Sequence, residues 1–187
     1  MKPKLQTEIR LGDLTEQPDL DAIVHPTTDQ LILIGTLGGA IRQRAGDQVD
    51  LDAQRKGPIK IGEAVSTGAG SLPNLYLIHA AIIGTDAYAL QEPTEWGTET
   101  SGASIGAAVL NSMNEAERLG LDSIGFPAVG VDLAGFPVDR CADVMFDQIS
   151  AFAATHIESP LHRVVIVCAN EAEYQEFDRR MTLRMAS

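Results

Sequence analysis

Positive charge is scarce in this sequence: 14 Lys and Arg stand against 26 Asp and Glu among 187 residues, a net charge of −12 at pH 7. A body of that sign repels a phosphate backbone, which excludes broad nucleic-acid binding by a basic face. It leaves room for a local positive pocket made of backbone amides. Cysteine is nearly absent. Cys141 and Cys168 cannot build a disulfide framework or a cysteine-rich zinc site. Both sit in apolar runs, where a buried free thiol is expected. No run of about 18 apolar residues occurs, so no membrane span is expected. Met1–Gln6 carries no apolar stretch of the signal-peptide kind. The chain therefore reads as cytoplasmic, in a reducing compartment.

What is present is ordinary for a folded domain. Hydrophobic residues make up 44%, too many for a disordered chain. The length gives a prior of one domain, here residues 1–187. No repeat appears. The polar stretch from Gly84 to Gly106, with Trp96 near its middle, reads as a loop leading into a helix.

Strand and helix patterns alternate. Strands are expected at Leu5–Arg10, Ala22–Val24, Glu63–Thr67, Leu75–Ile83, Ser123–Phe126 and Val164–Cys168. Helices are expected at Gly39–Ala45, closed by Gly46, and along the face Ile105, Ala108, Val109, Ser112, Ala116 and Leu119, closed by Gly120. Another helix opens at Pro137, with Ala142, Met145, Phe146, Ile149 and Phe152 inward and Asp139, Asp143 and Asp147 on a solvated face. A last helix is expected at Glu171–Leu183, with Tyr174 and Phe177 inward. The alternation implies an α/β domain, and such sheets bind ligands in a crevice beyond the carboxyl ends of their strands.

Four segments follow strands. Gly12-Asp13-Leu14-Thr15 offers a carboxylate that either caps a turn or accepts from an exocyclic amine. In His25-Pro26-Thr27-Thr28 the strand ends in a polar turn, and His25 is a general base or, more simply, a hydrogen-bonded structural residue. Gly35-Thr36-Leu37-Gly38-Gly39 is a glycine-rich turn entering a helix, where unpaired amides favour an anion. Phe126 to Pro137 repeats that geometry, so two amide-rich loops could face each other across one crevice.

Taken in order, Gly12-Asp13-Leu14, Asp21–Thr28, Gly35–Gly46, Gly62–Thr67, Ile78-His79 and Phe126–Pro137 resemble the macro domain family, with His25-Pro26-Thr27 closest to the histone-variant type. The resemblance implies a three-layer α/β/α sandwich with a central mixed, mostly parallel sheet and a crevice for ADP-ribose. It implies that Asp13 receives the adenine amino group with the Leu14 amide assisting. Thr28, Gly35, Thr36, Leu37, Gly38, Val129, Gly130, Val131, Asp132, Leu133 and Ala134 would surround the diphosphate and distal ribose. ADP-ribose is a ligand in this reading; no cofactor, metal, nucleic acid or membrane is implied. The expected partner is ADP-ribose or an ADP-ribosylated protein.

Departures from the pattern bear on chemistry. Thr28 and Gly38 replace an Asn and an Asp of one hydrolytic branch, and Ala134 replaces an Asp of another. Such positioning groups are often worth about 10²-fold. A non-catalytic binding module is therefore the expectation. A mono-ADP-ribosyl or O-acetyl-ADP-ribose hydrolase using non-standard residues is the alternative. Asp132 stands where the pattern has glycine, and Ala169 where an aromatic stacks on adenine. A carboxylate about 6 Å from a phosphate opposes binding by roughly 2–3 kcal/mol at an effective dielectric near 20.

Overall fold

The structure is a computed structural model that describes residues 5–90 and 100–186. Gln91–Glu99, the middle of the expected loop from Gly84 to Gly106 and the place of Trp96, lie outside the described residues. Strand β1 is Gln6–Leu11, followed by a 3-10 turn at Leu14–Glu16 and β2 at Ala22–Thr28. Helices α1 (Gly35–Ala45) and α2 (Asp47–Gln54) precede β3 (Ala64–Gly68) and β4 (Tyr76–Ile83). Then come α3 (Thr85–Leu90), α4 (Gly102–Arg118) and β5 (Ser123–Phe126). The chain continues with α5 (Val131–Ala134), α6 (Val138–Thr155), β6 (Arg163–Cys168) and α7 (Glu171–Met185).

The six strands form one sheet in the order β1-β6-β5-β2-β4-β3. All neighbours are parallel except β3, which runs antiparallel to β4. Side chains alternate across the strands: Ala22 and Val24 enter one core, Ile23 the other, and Val164 and Ile166 oppose Val165 and Val167. The first core packs α4, α6 and α7 through Ile105, Val109, Phe146, Phe152 and Phe177. The second packs α1, α2 and the 3-10 turn through Leu14, Ile41 and Val49. The result is the three-layer α/β/α sandwich with a mixed sheet. It accounts for the continuous apolar runs, because strands covered on both faces need apolar residues at every position.

Several elements depart from the sequence reading: it has no counterpart to α2, and α3 and the first turn of α4 fall within the Gly84–Gly106 stretch read as a loop. β2 does not stop at Pro26 but runs on to Thr28. Its pairing with β5 ends at Ile23, so beyond that point one side of β2 carries no strand, and a residue without an N–H is tolerated there. Helix α1 begins at Gly35 rather than Gly39, so the glycine-rich segment is its first turn. The one-turn helix α5 interrupts the second loop, between Gly130 and Gly135, both with left-handed backbone. The acids of α6 do form a solvent-exposed face, but they are paired across it with α7. Asp143 pairs with Arg180 and Arg184 of α7, and Asp147 pairs with Arg184.

Candidate functional site

The carboxyl ends of β1, β2, β5 and β6 open into one cleft. Its wide part, about 540 Å³, is lined by Asp13 and Leu14, by Thr36 and Leu37, by Pro127, Ala128 and Asp132, and by Ala169, Asn170 and Glu173. A narrow inner extension of about 40 Å³ lies between Pro26, Ile34, Gly130 and Leu133. Leu37, Pro127, Ala128 and Asp132 border both parts.

The local chain explains the amides. Ile34 occupies the N-cap of α1 and has no side-chain oxygen to cap it. The first amides of α1 are therefore left open at the cleft, with the positive end of the helix dipole behind them. Across from them, the Val131 amide donates to Ala128 O and that of Ala134 to Gly130 O. Gly130 has φ +85°, and a Cβ there would lie 2.8 Å from Ile105 Cδ1, so only glycine makes this bend. The two bends meet: a Cβ at Gly35 would lie 3.4 Å from Leu133 Cδ1 and 3.7 Å from Asp132 Oδ2. That contact narrows the inner extension to about 40 Å³.

Asp13 caps the turn, the first of the two readings given for it, and leaves its second oxygen at the cleft. Oδ1 accepts from Thr15 N at 2.8 Å and Thr15 Oγ1 at 2.6 Å, capping the 3-10 turn. Oδ2 has only a long contact, 3.4 Å, from Arg44 Nη2, while Arg44 pairs more closely with Glu16 at 2.7 Å. Among the described residues neither Lys nor Arg lines the cleft; its charged lining groups there are Asp13, Asp132 and Glu173.

Some expected residues stand behind the cleft wall rather than on it. Thr28 is fully buried, and its hydroxyl has no hydrogen-bond partner among the described residues. Val129 is buried as well. Gly38 faces inward: a Cβ there would lie 2.8 Å from the Leu33 carbonyl carbon and 3.1 Å from His25 Nε2. Gly35, Val131 and Ala134 contribute backbone at the two bends and do not line the cavity.

His25 is part of the core. It is fully buried, and its Nδ1 meets His79 Nδ1 at 3.3 Å, while His79 Nε2 meets Thr67 Oγ1 at 2.8 Å. Burial holds the His25 pKa down to about 4, and burial with the nearby His25 and Lys56 charges lowers that of His79. Both are neutral at pH 7, and His25 is walled off from the cleft. Cys141 and Cys168 are free and buried, and burial pushes the Cys168 thiol up to about 12. Among the described residues no group of three or more His, Cys, Asp or Glu is placed to hold a metal ion. No described helix is long and apolar enough to cross a membrane.

The sequence reading missed Asn170 and Glu173. Asn170 Oδ1 caps α7 by accepting from Glu173 N at 3.0 Å, and Glu173 Oε2 accepts from Ala169 N at 2.9 Å. The available signal was an Asn immediately after the last strand and three residues before an acid, a helix-start pattern.

Comparison with known proteins gives a consistent picture. The sequence profile described as Macro domain matches residues 24–145. An uncharacterised protein of Mycobacterium tuberculosis is 32% identical over 92% of the chain, which spans only 44% of that protein's length. A protein of an Enterobacter species named O-acetyl-ADP-ribose deacetylase is 33% identical, over 98% of the chain and 97% of its own length. The crystal structure of a Trypanosoma brucei macrodomain in complex with ADP-ribose superposes with a TM-score of 0.78 at 23% identity, over 94% of this chain and 68% of that one.

Proposed function

The chain belongs to the macro domain family, and on that premise we propose that its cleft is a binding module for ADP-ribose, free or attached to protein. The observation that carries this reading is the uncapped first turn of α1 facing the Asp132–Leu133 bend, with Asp13 at the far end of the same cleft. Open amides and a helix dipole suit a diphosphate without any cationic side chain. Asp13 Oδ2, with only a long contact to Arg44, is an acceptor for a base amino group. The solved complex with ADP-ribose and the Enterobacter relative support the ligand class.

Cleavage lacks evident machinery in this reading. Gly38 and Ala134 have no side chain to hold a water, and the Thr28 hydroxyl is buried behind the wall. Calorimetric titration with ADP-ribose tests the proposal, and the absence of binding at millimolar ligand would refute it. Asp13→Asn keeps an oxygen for the Thr15 cap and removes the charge. It is expected to weaken binding roughly 10-fold, the scale of a hydrogen bond to a charged group.

A second reading rests on the deacetylase name of the Enterobacter relative, which matches over nearly the full length of both chains. Asp132 is then the carboxylate closest to the facing bends. Turnover of O-acetyl-ADP-ribose that is abolished in Asp132→Ala would establish hydrolysis in place of simple binding.

A further inference from the structure

The base end of the cleft differs in kind from its amide end. Ala169 offers a base only a methyl group to stack on. Polar groups flank it instead: Asp13 from the segment after β1, and Asn170 and Glu173 from the start of α7. Glu173 is only 8% exposed although it lines the cavity. Its Oε2 is held by the Ala169 amide at 2.9 Å, and among the described residues Oε1 has no hydrogen-bond partner. The neighbouring Asn170 spends its carbonyl oxygen on the Glu173 amide, which leaves its NH₂ uncommitted among the described residues.

Glu173 Oε1 is therefore an acceptor fixed at the cavity and open to a ligand's donor. Beside it stands a free carboxamide donor. An acceptor next to a donor complements a ring edge that presents an amino group beside an unprotonated ring nitrogen, the pattern of adenine. A 6-oxopurine such as hypoxanthine presents the reverse: a carbonyl oxygen where the amino group would be, and a ring N–H.

We infer that Glu173 acts beside Asp13 as a second base-specificity residue of this cleft, the two carboxylates accepting from the two N–H groups of a 6-aminopurine and disfavouring a 6-oxopurine. The inference rests on the nucleotide-binding reading above. It assigns the missing stacking surface a replacement, a hydrogen-bonding wall fixed to the rigid start of α7.

The test compares ADP-ribose with its hypoxanthine counterpart by calorimetry, on the wild type and on Glu173→Gln. The wild type is expected to prefer the amino base by about 10- to 100-fold, as one charge-assisted hydrogen bond allows. In Glu173→Gln the amide oxygen still accepts from Ala169 N, and an NH₂ now faces the base. The preference is expected to fall about 10-fold or to invert, with the melting temperature retained. Should the Gln variant fail to fold, Glu173→Asp keeps the charge, withdraws the oxygen by one methylene, and should lower the same ratio. Wild type that binds both ligands equally overturns the inference while leaving nucleotide binding intact. So does a variant that weakens both ligands by the same factor, because a merely structural role does that. Wild type that binds neither ligand overturns the nucleotide reading, and this inference with it.

Discussion

At the scale of single residues, Gly38 and the buried histidines explain each other. Read as sequence, Gly38 is a lost side chain; in the structure it is a contact. Its α-carbon packs so closely on Leu33 and His25 Nε2 that no Cβ fits. His25 in turn must stay neutral, because its ring is sealed between that turn and His79. The consequence is a pH dependence with a definite sign. The folded-state pKa of His25 lies near 4 and that of His79 is also lowered, against an unfolded value near 6.5. Between these values the unfolded chain binds protons that the folded chain refuses, so stability rises with pH across the window and is lost as pH falls through it. Urea unfolding should show a loss of about 2 kcal/mol from His25 between pH 7 and pH 5, with His79 acting in the same direction. Asp19 and Glu176, both held near 2 by arginine partners, contribute only below the unfolded carboxylate range and leave that interval clear. A flat profile from pH 7 to 5 would mean that the pair is hydrated or charged in the folded state. No local pattern signals this pairing, since His25 and His79 are 54 positions apart and meet only through the register of β2 with β4.

At the scale of elements, local patterns were enough for most of the frame. The faces of α4 and α6, the stop at Gly120 and the buried runs of β4 and β6 follow from periodicity and turn chemistry. Misreadings arose where a distant partner decides. Pro26 is compatible with a strand only because β5 has already ended beside it. The run Val131–Ala134 is too short for periodicity to reveal as helical, yet it determines how wide the cleft is. Leu133 stands against Gly35 and, with its neighbours, restricts the inner extension to about 40 Å³, too little for a ribose. A second ribose bound here is therefore expected to press on this turn. Leu133→Ala should relieve that pressure and tighten ADP-ribose several-fold, while AMP, which ends before the extension, binds as before. Parallel titrations of the two ligands read the difference. Equal changes for both, or none for either, would show that the distal part of the ligand lies elsewhere.

At the scale of the whole molecule, the net charge of −12 and the absence of lining cations among the described residues set the electrostatics of binding a dianion. In a pocket built on Lys or Arg, salt weakens anion binding by screening attraction. Here the long-range field is repulsive, and only the short-range amides attract. A chain of this length has a radius of gyration of roughly 16 Å. At that distance each like-charge pair costs about 0.3 kcal/mol in water before screening. The Debye length shrinks from about 30 Å at 0.01 M salt to about 8 Å at 0.15 M, so most of the summed repulsion disappears over that range. An upper bound on the gain is about 3 kcal/mol. Counter-ions that gather near an acidic surface even at low salt reduce it, so a tightening of roughly 10-fold is expected. Calorimetric titrations of ADP-ribose at the two ionic strengths measure it directly. A weakening with salt would require a net attractive field at the cleft, contrary to the charges that line it. The amide contacts themselves lie within a few ångströms of the ligand, well inside the shorter screening length, so salt leaves them largely intact. The same argument fixes the sign for Asp132, the exposed acid nearest the facing bends. Asp132→Asn removes one repulsive charge, so it should tighten ADP-ribose most at low salt, with the advantage shrinking as salt is added.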